Sequence, residues 1–135
     1  MNRLADFKEF MQRREAASAA YVDGDPAPLR KIATCDLPAT FFSPAGDFVQ
    51  GAQQVASRYA ADAQSFDNGS DFRFEVLQMA ADGEIAYWVG LMRGKARMRG
   101  KSEAISMNLR VTEVFRREDG DWKLVHRHAD LLSEK

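Results

Sequence analysis

Glu113 is the lone charge on an alternating face otherwise made of Ile105, Met107, Leu109, Val111 and Phe115. Burying a carboxylate among such groups disfavours its charged form and raises its pKa, unless a cation or hydrogen-bond donors compensate. A carboxyl raised in this way can give or take a proton near neutral pH, which makes Glu113 a candidate acid/base. Paired with an arginine, it would instead be a structural carboxylate. Arg127, a candidate anion stabiliser, lies in the stretch "EVFRREDGDWKLVHRHAD". That stretch also holds the chain's two histidines, His126 and His128, one on each side of Arg127. Neighbours in a strand point to opposite faces, so either the guanidinium or the imidazoles face the interior. A zinc site needs a third protein ligand and the chain has no further His, so no metal site is expected.

A second chemical feature is "MRGKARMRGKS", in which Arg93, Lys95, Arg97, Arg99 and Lys101 would share one face if extended. Such a ladder could rim a pocket for an anion. The reading adopted is a solvated hairpin projecting past the core. There is no Gly-rich phosphate loop and no aromatic interleaving, so neither a nucleotide cofactor nor a nucleic-acid partner is expected. Tyr21, Phe41, Tyr59 and Tyr87 are candidate inner-wall aromatics, with Val89, Leu109, Val111 and Val125 completing the expected lining.

The elements that must position these groups read clearly. Residues 3–23 carry Leu4, Phe7, Met11, Ser18 and Tyr21 at helical spacing, and Gly24 suits the cap. Asp25-Pro26 restarts a short helix. Two short extended pieces follow in "ATFFSPAGDFVQG", and a second long helix runs over 52–66 with Val55, Tyr59, Ala63 and Phe66 on one stripe. From residue 70 the period becomes two, with hairpin turns at Asp82-Gly83 and around Asp119-Gly120. Helices first and long antiparallel hairpins afterwards imply an α+β layer, helices on one face of a curled sheet that encloses a cavity.

With 135 residues and a formal net charge of -1, one domain over 1–135 is expected, with no global pull toward nucleic acid or an anionic membrane. The single Cys35 excludes an internal disulfide. The start, "MNRLADFKEFMQRREAAS", is too charged for a signal peptide or a membrane span, and the expected location is the cytoplasm.

The segments "AAYVDGD", "DLPATFFSPAGDFVQGAQQVASRYA" and "LRVTEVFRREDGDWKLVHRHAD" resemble the NTF2-like superfamily, in its SnoaL-like/DUF4440 (ketosteroid isomerase-like) branch. The last segment is also similar to the association domain of calcium/calmodulin-dependent kinases. The resemblance implies a cystatin-like α+β cone and leaves activity open, because one fold hosts many functions. Against the isomerase pattern, Ser43 stands where that family has its aspartate base, and the helix-one tyrosine would fall near Ala17 or Ser18. "VTEVFR" is similar to the strand carrying the family's second acid, at Glu113. Steroid isomerisation is therefore not expected.

Two registers of the last hairpin are open. A two-residue Asp119-Gly120 loop sets Glu113 opposite His126. A three-residue loop over 118–120 sets it opposite Val125 and diagonal to Arg127. The similarity to the kinase association domain, whose pocket arginines follow the second parity, favours the latter. Arg127 then faces the cavity, while Trp122, Leu124, His126 and His128 form an outer face suited to homodimer pairing. Two functions follow. One is a pocket for a small anionic or carbonyl-bearing molecule with cofactor-free isomerase or dehydratase chemistry. The other is a non-catalytic ligand-binding or oligomerisation module.

Overall fold

The computed structural model describes residues 2–133. Helix α1 spans Arg3–Val22, with the Asn2 side chain accepting the Ala5 N–H at 3.1 Å as its cap. The short α2, Ala27–Ile32, begins just after Pro26, and α3 covers Ala52–Ala63. Strands β1 (Thr40–Phe42) and β2 (Phe48–Gln50) are the two short extended pieces. Four long strands follow: β3 (Asp71–Asp82), β4 (Ile85–Ala96), β5 (Ile105–Glu118) and β6 (Asp121–Leu131). They form one six-stranded sheet in the order β2-β1-β6-β5-β4-β3, antiparallel except where β1 runs beside β6. The helices cover one face of this curved sheet, as the change of sequence period implies. Helix α3 stops short of the expected residue 66, and Phe66 instead bridges to Met98 and packs on Tyr21.

Two irregularities decide which side chains point inward. In the last hairpin, Asp119 and Gly120 both have positive φ (52° and 84°), and Glu118 pairs with Asp121. This is the two-residue turn that an Asp-Gly pair favours, so the expected three-residue loop is overturned. The register then shifts, because Phe115 pairs with Leu124 but Val114 pairs with His126, leaving Val125 as an extra residue in β6. Beyond this bulge Glu113 lies directly opposite Arg127. The parity change expected at the turn therefore occurs later, at Val125.

This corrects two expectations for the outer face. Trp122 and Leu124, on the turn side of the bulge, point inward with Phe115 and are buried. Trp122 packs edge-on against Phe7 at 5.5 Å, and its indole N–H donates to Asp6 at 3.1 Å. Only His126 and His128 keep the outward direction, against the ring of Phe42.

Strand β4 also differs from expectation. Its even-numbered side chains Ala86, Trp88 and Met92 are buried, whereas Tyr87, Val89 and Leu91 lie on the outer face. Antiparallel partners share a face, and Trp88 pairs with Glu113, so the direction of Glu113 dictates that of Trp88. Gly90 and Gly94 fall on the inner side, where a Cβ would meet the β3 carbonyl oxygens of Glu75 and Asp71 at 2.1 and 1.9 Å. Strand β3 approaches so closely at these two positions that only a residue without a side chain fits there. Among the described residues no helix is long and apolar enough to cross a membrane.

Candidate functional site

Between helices and sheet lies a cavity of about 300 Å3. Arg14 reaches it from α1, because residue 14 follows Met11 by three and precedes Ser18 by four on the buried stripe. Arg127 reaches it from β6, and Glu113 of β5 lies behind the two guanidinium groups, outside the lining. At the floor, Arg14 grips Glu113 with two parallel bonds, Nε to Oε1 at 2.9 Å and Nη2 to Oε2 at 2.7 Å. Arg127 Nη1 donates to Oε2 at 2.5 Å, and the Trp88 indole N–H donates to Oε1 at 2.8 Å. Both carboxylate oxygens are thus doubly served, in a residue with no solvent exposure. The aromatic floor is completed by Phe74, stacked on Trp88 at 4.6 Å and lying under the Arg14 guanidinium.

These contacts define what Glu113 can do. Burial alone pushes its pKa up and is the largest single influence. The charges of Arg14 and Arg127, with the hydrogen bonds from Arg14 and Trp88, together outweigh it and hold the carboxyl at about 2. A group held so firmly ionised neither donates nor accepts a proton near neutral pH. The compensating cations that would cancel the expected upward shift are present. The Glu113 carboxylate fixes the direction of two guanidinium groups.

Two guanidinium charges against one carboxylate leave one positive charge uncompensated. Arg14 Nη1 is buried without a hydrogen-bond partner, although Arg14 is only 2% exposed. An unpaired buried donor on a cation is costly, and this one belongs to a residue lining the cavity. The other terminal nitrogen of Arg127, Nη2, donates to the thioether of Met92, a weak acceptor, at 3.3 Å.

Of the expected lining, Tyr21, Phe41, Tyr59 and Leu109 do face the cavity. Burial raises the hydroxyl pKa of both tyrosines, so each remains a neutral donor. Val111 sits in the hydrophobic core outside the cavity wall, and Val125 is the half-buried bulge residue. Tyr87 bonds Gln78 at 2.9 Å on the outer face, and Val89 is beside it. Both are displaced from the lining by the inward choice of Trp88. The cation ladder disperses: β4 ends at Ala96, Arg97 turns to Asp67 and Asn68, and Arg99 turns to Gln64. None of the five cations lines the cavity.

The mouth is built by the turn between β1 and β2 and by α3. Ser43 donates to Asp47, which also receives both terminal nitrogens of Arg58, at 2.8 and 3.1 Å. Arg58 Nε bonds Asp62 at 2.8 Å, one helical turn away. A carboxylate thus does stand beside Ser43. Hydrogen bonds from Arg58 and Ser43, larger than the other influences, hold Asp47 at about 2, so it makes a weak base. On the outer face, Thr40 Oγ1 and His126 Nδ1 are 2.6 Å apart, and His128 Nε2 lies 3.3 Å from Asp130. Among the described residues no group of three His, Cys, Asp or Glu could hold a metal ion.

Arg14 is the site residue that the sequence reading passes over. Its signal was present: a charge on the apolar stripe Phe7, Met11, Ser18, just as Glu113 is a charge on an apolar strand face. The family model described as the SnoaL-like domain matches residues 11–132. No curated protein matches the chain in sequence. Among solved structures, a candidate dehydratase of the NTF2-like family from Streptomyces avermitilis is 19% identical, with 96% of this chain and 98% of that one covered and a TM-score of 0.81. A ketosteroid isomerase-like protein from Erwinia carotovora atroseptica is 14% identical, over 92% and 94%, with a TM-score of 0.70. A candidate calcium/calmodulin-dependent protein kinase II association domain from Xanthomonas campestris is 15% identical, over 94% and 88%, with a TM-score of 0.68. At these identities the likeness is one of fold.

Proposed function

Taking as premise that the chain belongs to the SnoaL-like domain family, we propose that it binds a small organic anion, a carboxylate above all, in the cavity between helices and sheet. The observation that carries this reading is the unpartnered Arg14 Nη1 beside Arg127, on a buried cluster with one positive charge to spare. A carboxylate placed there completes the charge balance and receives charge-assisted hydrogen bonds, the strong kind. Tyr21 and Tyr59 add neutral phenolic donors along the wall. The rest of the lining is largely aliphatic, aromatic and methionine, suited to a carbon body.

Binding is favoured over proton-transfer chemistry. Glu113 and Asp47 are both held ionised by arginines, and the two tyrosines are pushed toward the neutral form. An isomerase or dehydratase reaction would have to take its base from Asp62, the carboxylate of the lining, which is itself bonded to Arg58. The role of Arg127 as anion receptor is kept from the sequence reading, with Arg14 added to it.

Ligand titration of octanoate against octanamide tests the proposal, read by calorimetry and by the methyl resonances of Met92, Met98 and Met107, which line the cavity. The two ligands share a body and differ in charge. Hydrogen bonds to a charged partner contribute about 1.5–3 kcal/mol, so octanoate should bind about tenfold to a hundredfold more tightly and shift these methyls. Equal affinities would sink the assignment.

The outer face supports association of two copies. Phe48 is 65% and Leu77 65% exposed, and the outward Val89, Leu91, Phe42, His126 and His128 belong to the same face. The pairing surface is thus the outer sheet without Trp122 and Leu124. Sedimentation should show a dimer at micromolar concentration, and a monomer there would remove this part of the reading.

A further inference from the structure

The cavity is electrically polar from end to end. Its floor carries the spare positive charge of Arg14 and Arg127 over Glu113. Its mouth carries the opposite sign, because Arg58 lies between Asp47 and Asp62 and bonds both, leaving one negative charge uncompensated. Asp62 is the mouth carboxylate that lines the cavity itself, with its side chain 31% exposed. Arg58 cannot readily turn to serve a ligand, since Nε is committed to Asp62 and both terminal nitrogens to Asp47, with the Phe41 ring 5.8 Å beneath. Between the ends, Met92, Met98, Met107, Leu109, Phe66 and Phe72 present carbon and sulfur surface. That belt offers no cation to a second anionic group.

We infer that the site selects monocarboxylates and rejects dicarboxylates, with Asp62 as the residue that determines this specificity. This rests on the anion-binding reading and deepens it. The preferred ligand has one carboxylate at the floor, an apolar body along the belt, and an uncharged or hydrogen-bond-donating end at the mouth. There Asp62 accepts a donor, and the hydroxyls of Ser43 and Ser65 are also in the lining. A second carboxylate would arrive beside Asp62 in a partly screened setting, where like charges a few ångströms apart repel by about 1 kcal/mol or more.

Adipate, suberate and sebacate, each compared with its own monomethyl ester by calorimetry, test the selectivity. The half-ester keeps the inward carboxylate and the carbon body and neutralises only the far end. In the native protein the best-fitting half-ester should bind about tenfold more tightly than its diacid. Asp62→Asn should bring that ratio to within about twofold by improving the diacid, and Arg58→Gln, which removes a mouth cation, should enlarge it. A native ratio near one overturns the inference, as does a ratio that persists in Asp62→Asn, because the penalty would then come from dehydrating a dianion. If neither diacid nor half-ester binds, the anion-binding reading falls and the selectivity with it. A native ratio near one with the half-ester still bound would overturn the selectivity alone.

Discussion

Glu113→Gln should cost the fold dearly, even though the two side chains have nearly the same shape. The substitution leaves Arg14 and Arg127 buried with no counter-charge, and it turns one acceptor oxygen into an NH2 that must face a guanidinium or an indole N–H. The size can be worked in two ways. An ordinary glutamate at 4.5 held at about 2 in the fold corresponds to about 3 kcal/mol, at about 1.4 kcal/mol per pH unit. Removing one partner of a buried ion pair costs about 3–5 kcal/mol. The two routes agree, and the loss is a large part of the 5–15 kcal/mol typical of a domain. Urea unfolding followed by the fluorescence of the two buried tryptophans, Trp88 and Trp122, measures it. The sign of the pH dependence offers an internal check. A depressed folded-state pKa stabilises above 4.5, and that stability is lost as the pH falls from 4.5 through about 2. The native protein should therefore lose this share on acidification while Glu113→Gln, which has already lost it, should not. A destabilisation under about 1 kcal/mol, with parallel pH profiles, would refute the reasoning.

Trp122→Ala should destabilise by about 3–5 kcal/mol, because the indole is 3% exposed and packs on Phe7; a near-neutral effect would return Trp122 to the outer face. Gly94→Ala should lose about 1–3 kcal/mol in thermal unfolding, since its Cβ would stand 1.9 Å from the Asp71 carbonyl oxygen. His126 should titrate below 6.5, because burial and then the neighbouring His128 disfavour its cation. Its neutral form stabilises the fold above 6.5, and that contribution is lost as the pH falls through the folded-state value. NMR titration of its ring protons checks the direction, and His126→Asn should flatten the corresponding slope of stability against pH.

Much of the architecture is local information. The helical spacing of Phe7, Met11 and Ser18, the alternation of Leu109, Val111, Glu113 and Phe115, and the Asp119-Gly120 turn each follow from a few adjacent residues. That Glu113 needs a partner is legible, because a charge on an apolar face must be compensated; that Arg127 lies opposite it follows from the bulge at Val125. Arg14 could have been found by the same rule applied to α1. Tyr87 and Val89 lie outside although they belong to the more apolar face of β4. In the folded chain the choice of inner face passes to the paired strand, where Trp88 must lie beside Glu113.

What the sequence determined by itself is the order and type of the elements, the α+β cone they build, and the presence of charges that must be neutralised indoors. These depend on periodicity and turn chemistry, which act over a few residues. Tertiary structure alone decided that Val125 is an extra residue, that Trp122 therefore packs inward while His126 and His128 face out, and that Arg14 joins Glu113 from 99 residues away. A bulge is an agreement between two strands and an ion pair an agreement between distant elements. Their energies depend on partners that no local stretch of chain can specify.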